Sequence, residues 1–215
     1  MWACRLGFWL DSIAMSGDFV LQHGLPLVVL FAKAPVPGRV KTRLGVDPQR
    51  AAALHSSFVR QTLVMLESLS GEVDVELSTD EPTLAWGEFP VARSVQAAGH
   101  LGERIYAALE RALAAGRPKA MILGSDSPGL PAAHIRALLG SSADVSIGPV
   151  DDGGFYAIAC SRTVPAMFEG VRWSTGATLS DTVKALTSCG LGVDLGPAWF
   201  DVDRPEDLAR LPTSL

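Results

Sequence analysis

Apolar and polar residues follow two periods that alternate along the chain. Residues 25–31 form a continuous apolar run rich in Val and Leu, which is typical of a strand covered on both faces. Apolar residues then recur at helical spacing to about Leu69, after Asp47-Pro48, a typical N-cap with Pro at the first helical position. Further strands are predicted at residues 73–78, 119–123, 144–147 and 155–160, and further helices at residues 101–115, 131–139, 176–188 and 205–211.

Strands that alternate with helices of about ten to twenty residues indicate βαβ units. The sequence therefore predicts an α/β fold in which a mainly parallel sheet is covered by helices on both faces, giving three layers. Residues 25–215 carry this pattern without a linker or an internal repeat, and we interpret them as a single domain. Residues 1–24 are interpreted as an N-terminal extension, either a poorly ordered tail or residues upstream of a translation start at Met15.

Composition narrows the partners and the compartment. The 215 residues include 23 Asp plus Glu against 18 Lys plus Arg, a net charge of −5, which argues against a basic face for nucleic acid. The N-terminal apolar residues are interrupted by Arg5 and Asp11, so no membrane span is predicted. Three distant cysteines without a CxxC pair argue against a disulfide framework or a zinc site and favour the cytoplasm. No feature of the sequence indicates an oligomeric state.

Positive charge is concentrated in the loop after the first predicted strand. No Asp or Glu lies between Asp18 and Asp47, and this loop combines four cations with two prolines and a glycine. Cations bind phosphate, prolines stiffen a loop, and glycine lets the backbone approach a ligand. We predict a diphosphate site here, with a solvated surface loop as the alternative; the spacing matches neither a Walker A loop nor a dinucleotide fingerprint. The candidate residues are Lys33, Pro35, Gly38, Arg39, Lys41, Thr42 and Arg43.

Carboxylates occupy two further loops that follow predicted strands. Asp126, in the segment Gly-Ser-Asp-Ser-Pro, has room to reach a hydrated Mg²⁺ or Mn²⁺, although the same residue types favour a helix-entry turn. Asp151 and Asp152 precede Gly153 and Gly154, an order typical of a turn. The functional alternative is a carboxylate that acts as a base or accepts a substrate hydroxyl, with the glycines admitting substrate. Because ligands bind beyond the carboxyl ends of the strands, these loops should face one site.

Two later segments complete the candidate site. Trp173-Ser174-Thr175 precedes a predicted helix and is a candidate wall for the acceptor, although a helix cap explains the Ser and Thr almost as well. Asp203, with Glu206 three residues later, resembles a capping box at the start of the closing helix. A capping carboxylate uses one oxygen and keeps the other for a metal ion.

Five segments, in order, carry a resemblance to a known family. They are AKAPVPGRVKTRL, GSDSP, GPVDDGGFYAI, RWST and DVDRPEDL, and they extend over nearly the whole predicted domain. They resemble the bacterial GT-A-like family of nucleotide-diphospho-sugar transferases, related to molybdenum-cofactor and phospholactate nucleotidyltransferases. The resemblance implies a GT-A fold, phosphate binding by the basic loop, and Mg²⁺ or Mn²⁺ on Asp126 and Asp203. Two features depart from the relatives: Pro128 replaces the second acid of D-x-D, and a proline-stiffened loop replaces the glycine-rich nucleotidyltransferase loop.

Three functions remain open on these residues. The first is a metal-dependent glycosyltransferase that uses a nucleotide-diphospho-sugar and a small-molecule acceptor, with Asp126, Asp151 and Asp152 as catalytic residues. The second is a nucleotidyltransferase that joins an NTP to a sugar phosphate or a phospho-acid and releases pyrophosphate. The third is a nucleotide-binding module without turnover. Base, sugar, acceptor and stereochemical course are not specified by these motifs.

Overall fold

The computed structural model describes residues 24–211, so the predicted N-terminal extension up to residue 23, including Met15, lies outside the described residues. The strands are β1 (Leu27–Ala32), β2 (Asp74–Thr79), β3 (Ala92–Val95), β4 (Ala120–Gly124), β5 (Val145–Pro149), β6 (Phe155–Cys160) and β7 (Val193–Leu195). The helices are α1 (Pro48–Glu67), α2 (Leu101–Ala114), α3 (Ala132–Gly140) and α4 (Thr178–Ser188), followed by a 3₁₀ helix (Pro205–Arg210). None of the helices between residues 24 and 211 has both the length and the apolar character that crossing a membrane requires.

One seven-stranded sheet runs through the described residues, with the strand order β3-β2-β1-β4-β6-β5-β7. β6 is antiparallel to β4 and β5, and every other neighbouring pair is parallel. The predicted mainly parallel sheet is therefore confirmed. Because β1, β4 and β5 run in the same direction, the three loops that carry the candidate residues leave the sheet at one edge, which we call the carboxyl edge.

The side chains of β1 show why the sheet is covered on both faces. All six residues of β1 are buried, and they divide between two hydrophobic cores. Successive side chains of a strand point to opposite faces, so a strand buried on both faces must be apolar throughout. One core receives Val28 and Leu30 with residues of α1 and α3, and the other receives Leu27, Val29 and Phe31 with residues of α2 and α4. The predicted three-layer α/β fold is confirmed.

Two strands and the type of the closing helix were not anticipated from the sequence. β3 has four residues and β7 has three, and each lies at an edge of the sheet with side chains that are exposed or half-buried. Short edge strands contain too few apolar residues to show a period of two. The closing helix is a 3₁₀ helix. The residues that follow β3 line one wall of the candidate site.

The C-terminal segment crosses the carboxyl edge after β7. The Trp199 N–H donates to the Pro149 carbonyl at 3.0 Å, and the Val202 N–H donates to the Asp126 carbonyl at 2.9 Å. These two hydrogen bonds attach residues 199–202 to the loops that follow β5 and β4. The segment that contains Asp203 is thereby placed beside the loop that contains Asp126.

Candidate functional site

Two clefts open side by side at the carboxyl edge of the sheet. The first cleft, of about 630 Å³, lies between the loop after β1 and the segment that joins β3 to α2. The second cleft, of about 600 Å³, lies between the loop after β5, the segment before α4 and the C-terminal segment. The two clefts share part of their walls and therefore form one continuous groove. We call the shared residues the junction; they are Arg43, Leu101, Asp126, Phe155, Ser174, Asp201 and Asp203.

A buried ammonium group holds two carboxylates together at the junction. Lys41 Nζ lies 2.7 Å from Asp126 Oδ1, 2.8 Å from Asp203 Oδ1 and 2.7 Å from the Val202 carbonyl oxygen. The Lys41 side chain is 3% exposed, whereas those of Asp126 and Asp203 are 44% and 45% exposed. Burial opposes the charge of the ammonium, but the attraction of the two carboxylates outweighs burial and raises the pKa of Lys41. Lys41 is therefore a fixed cation that positions both carboxylates.

The backbone near the junction is left-handed at two residues that carry side chains. Lys41 (φ 48°) and Ser174 (φ 58°) are two of the three non-glycine residues with positive φ in the described part of the chain. Such conformations cost on the order of 1–3 kcal/mol and cluster at functional sites. Lys41 is held in place by its three bonds and by the Phe58 ring, whose centroid lies 5.7 Å from Nζ. Both residues line the groove, as this tendency predicts for a candidate functional site.

Asp201 is a third carboxylate at the junction, and the sequence analysis did not select it. Its side chain is hydrogen-bonded to the Ser127 hydroxyl. Burial raises the pKa of Asp201 to about 7 against the effect of this hydrogen bond, and the charges of Asp126 and Asp203 raise it further. Partial protonation of Asp201 near pH 7 limits the negative charge in the groove. The D-x-D spacing was the available signal, since residues two apart in an extended segment share a face and Val202 between them is buried.

Four of the seven predicted phosphate-binding residues line the first cleft, namely Lys33, Lys41, Thr42 and Arg43. Arg39, Pro35 and Gly38 are not part of its wall. The Arg39 guanidinium pairs instead with Glu81, with 2.8 Å between Nη1 and Oε2. Gly38 has a φ of 81°, a conformation that glycine adopts without the penalty of a Cβ. Pro35 and Gly38 therefore shape the loop, and its cations take different positions.

The second cleft gathers most of the residues predicted to act on substrate, namely Asp126, Asp151, Asp152, Gly154, Trp173, Ser174 and Thr175. Asp151 Oδ2 accepts a hydrogen bond from Arg210 at 2.8 Å, and Asp152 Oδ1 accepts one from the Gly154 N–H at 2.9 Å. Gly153 is not part of the cleft wall; its φ is 86°, and a Cβ there would collide with the Gly176 carbonyl oxygen. Gly153 thus permits the close approach of the loop after β5 and the segment before α4.

A further wall of the first cleft comes from residues that follow β3. Gln96, His100 and Arg104 line this side. The Gln96 amide donates to the Ala32 carbonyl at 3.2 Å and to the Ser78 carbonyl at 3.1 Å, which ties this wall to the ends of β1 and β2. These residues could not be predicted from the sequence, because β3 leaves no periodic pattern and without that strand nothing places them at the carboxyl edge.

Asp126 and Asp203 are the residues that could hold a divalent cation together with a ligand. Each carboxylate contacts Lys41 through Oδ1, and its Oδ2 forms no hydrogen bond with another residue in the described part of the chain. Mg²⁺ and Mn²⁺ are commonly held by one or two carboxylates together with substrate phosphates and water. Residues 24–211 contain no group of three or more His, Cys, Asp or Glu residues arranged for a metal. Most ligands of an ion bound here would therefore come from substrate and water.

The fold and the groove define the class of this protein, an α/β enzyme with the fold of nucleotide-diphospho-sugar transferases. It is similar to a protein of Desulfovibrio desulfuricans G20 described as a proposed nucleotide-diphospho-sugar transferase, with 30% identity, a TM-score of 0.76 and coverage of 84% of this chain and 83% of that chain. The fold is also similar to that of CMP:2-keto-3-deoxy-manno-octonic acid synthetase in complex with CTP, with 13% identity, a TM-score of 0.58 and coverage of 87% and 96%. A third similar structure is the 4-diphosphocytidyl-2C-methyl-D-erythritol synthase of Anaerococcus prevotii DSM 20548, with 9% identity, a TM-score of 0.57 and coverage of 88% and 97%.

The chain belongs to the family described as "Uncharacterized protein conserved in bacteria (DUF2064)", whose model matches residues 41–175. The matched region begins at Lys41 and contains Asp126, Asp151 and Asp152, and it ends before Asp203. No curated protein matches the sequence of this chain at a significant level.

Proposed function

We propose that this protein transfers a sugar from a nucleotide-diphospho-sugar to a small-molecule acceptor and that it requires Mg²⁺ or Mn²⁺. The observation that carries the proposal is the groove, in which two clefts of similar volume meet at Asp126 and Asp203. Group transfer requires two substrates held next to each other, and two clefts with a common charged junction provide that arrangement. The name of the Desulfovibrio desulfuricans relative supports the same donor class. The free thiols of Cys160 and Cys189 support a reducing compartment such as the cytoplasm.

The first cleft suits the nucleoside diphosphate part of the donor. Lys33 and Arg43 line it, and neither forms an ion pair with a carboxylate among the described residues, so both charges are available to phosphate oxygens. As the bond between sugar and diphosphate breaks, negative charge grows on the diphosphate, and cations already in place lower the barrier. A bound divalent ion would supply Lewis-acid stabilisation of the same charge.

The second cleft suits the acceptor. Asp151 and Asp152 line its wall, and each keeps one carboxylate oxygen beyond its bond to Arg210 or to the Gly154 N–H. We assign one of these carboxylates as the base that removes the proton of the acceptor hydroxyl during its attack on the anomeric carbon. Trp173 packs edge-to-face against Phe155 and Phe168, at 6.1 and 5.7 Å between ring centroids. This packing gives the cleft a rigid apolar wall.

Nucleotidyl transfer is the second candidate, and residue 128 favours it. After Asp126, proline occupies position 128, where a D-x-D motif would have its second acid. Ser127, which lies between Asp126 and Pro128, is hydrogen-bonded to Asp201. In that reaction a phosphate oxygen of the acceptor attacks the α-phosphate of an NTP, and pyrophosphate leaves. The cations of the first cleft would stabilise pyrophosphate as well as they stabilise a nucleoside diphosphate.

The released product separates these reactions. A thermal-shift screen first selects the ligands, since a ligand at 100 times its Kd adds about 2.7 kcal/mol to stability. The protein is then incubated with Mg²⁺ or Mn²⁺ and either nucleotide-diphospho-sugars, with water or an added hydroxyl compound as the glycosyl acceptor, or NTPs with sugar 1-phosphates. Nucleoside diphosphate indicates glycosyl transfer, and pyrophosphate indicates nucleotidyl transfer. Nucleotide binding without metal dependence or product would identify a module without turnover, and absence of any nucleotide binding would refute all three functions.

Arg43→Ala should weaken nucleoside diphosphate binding roughly tenfold or more, because a charged hydrogen bond to phosphate contributes about 1.5–3 kcal/mol. Arg39→Ala is the matched control, since it removes the same charge from the same loop, but at a guanidinium that is not part of the cleft wall and pairs with Glu81 at 2.8 Å and with Asp80 at 3.8 Å. Its Kd should stay close to that of the wild type. Isothermal titration calorimetry measures both values. An equal loss in the two variants would mean that the loop acts only through its total charge.

A further inference from the structure

The charged groups of the second cleft differ in whether they have partners. Each carboxylate in its wall is engaged by an ammonium, a guanidinium, a hydroxyl or a backbone N–H, namely Asp126, Asp151, Asp152, Asp201, Asp203 and Asp207. Three guanidiniums line the same cleft. Arg210 pairs with Asp151 and lies over the Phe200 ring, 4.1 Å from its centroid. Arg43 and Arg204 form no ion pair with a carboxylate in residues 24–211.

Among the described residues, Arg204 is the cation that lines only the second cleft and has no ion pair with a carboxylate. Arg43 lies at the junction, where it also lines the first cleft, whereas Arg204 is exposed in the second cleft just before the 3₁₀ helix. A guanidinium presents a planar fork of donors that matches the oxygens of a phosphate or a carboxylate. No carboxylate in residues 24–211 forms an ion pair with Arg204, so its charge is available to an anionic group of a ligand in this cleft.

Two other features of the second cleft indicate which chemical groups that ligand would carry. Ser174 has a φ of 58°, and its hydroxyl forms no hydrogen bond with another residue in the described part of the chain, so a strained residue offers a donor to the groove. Trp173, Phe155 and Val150 supply apolar surface to the same cleft. A ligand that used all of these groups would combine an anionic group with a ring or another apolar body.

We propose that the acceptor is itself an anion, with a phosphate or carboxylate group bound by Arg204 and by the Ser174 hydroxyl, and with a body that contacts Trp173 and Phe155. This inference rests on the proposed function, in which the ligand of the second cleft is the acceptor. Binding of the anion requires neither nucleotide nor turnover, and it can therefore be tested separately.

The test uses three probes that share a phenyl ring: phenyl phosphate, benzoate and phenyl β-D-glucopyranoside. Each is titrated calorimetrically into the wild-type protein and into Arg204→Gln, Lys33→Gln and Arg136→Gln. We expect the charged probes to bind the wild type more tightly than the glucoside and Arg204→Gln to weaken them roughly tenfold, the change that 1.4 kcal/mol produces. Lys33→Gln, which alters only the first cleft, reports binding of the probes at the proposed diphosphate site and should weaken them less than Arg204→Gln does. Arg136→Gln is the control for net charge, since Arg136, on α3, pairs with Glu72 and lines neither cleft.

The pattern of these affinities decides the proposal. Tighter binding of phenyl phosphate than of benzoate identifies a phosphate-bearing acceptor, and the opposite order identifies a carboxylate. The proposal is overturned if neither charged probe binds, if the glucoside binds as well as they do, or if Lys33→Gln weakens the charged probes and Arg204→Gln does not. Binding of the anions that depends on Arg204, together with no nucleotide binding, would refute the proposed function and leave the anion subsite standing.

Discussion

Replacement of Lys41 by Met should lower the free energy of unfolding by about 2 kcal/mol, because it removes the ammonium between Asp126 and Asp203. Loss of one partner from a fully buried ion pair costs about 3–5 kcal/mol, and solvent screening of the half-exposed carboxylates reduces this cost. The Met side chain keeps the packing beside Phe58. In a chain of this size the expected fall in Tm is roughly 4–8 °C. Thermal unfolding in EDTA, followed by circular dichroism, measures it.

A divalent ion should restore part of this loss, since it can place positive charge between the same two carboxylates. Mn²⁺ should therefore raise the Tm of Lys41→Met more than it raises that of the wild type. Lys33→Met is the matched control, because Lys33 is exposed and has no ion pair with a carboxylate in the described range; its stability should stay within about 0.5 kcal/mol of the wild type. If Lys41→Met melts at the wild-type temperature, the ammonium does not hold the junction together.

Asp126→Asn should reduce kcat/KM roughly 10²–10³-fold and leave the Tm close to that of the wild type. The Asn side-chain oxygen can still accept a hydrogen bond from Lys41, and a half-exposed ion pair contributes only about 0–1 kcal/mol to stability. The lost charge removes one of the two carboxylates proposed to hold the divalent ion, and loss of one stabilising group from a preorganised site has effects of about this size. The product assay under "Proposed function" gives the rate, and the thermal shift caused by Mn²⁺ should disappear.

Asp194→Asn is the control for this substitution. Asp194 lies on β7, accepts a hydrogen bond from the Ser141 hydroxyl at 2.9 Å and lines neither cleft. Its rate and its Mn²⁺-dependent shift should equal those of the wild type. If Asp126→Asn keeps both its rate and its shift, Asp126 has no place in the proposed metal site.

Local sequence patterns were enough to predict the elements on which the site stands. The apolar runs of β1 and β4 are buried in the sheet, and a loop must begin where such a run ends, which located the basic loop after β1 and the loop of Asp126 after β4. The same reasoning did not select Asp201, because its burial and its hydrogen bond depend on Ser127, which lies 74 residues away. It also missed Gln96, because an edge strand as short as β3 leaves no period in the sequence.

Within the basic loop, the sequence by itself determined the charge and the stiffness, and the tertiary structure decided the partner of each cation. Arg39, Lys41 and Arg43 are spaced two residues apart and look equivalent in the sequence. In the folded chain Arg39 meets Glu81, 42 residues later, and Lys41 meets Asp203, 162 residues later, while Arg43 meets no carboxylate between residues 24 and 211. Residue type sets the charge and the reach of a side chain. Its partner depends on packing that brings distant segments to within 2.8 Å, and a local pattern contains no record of that packing.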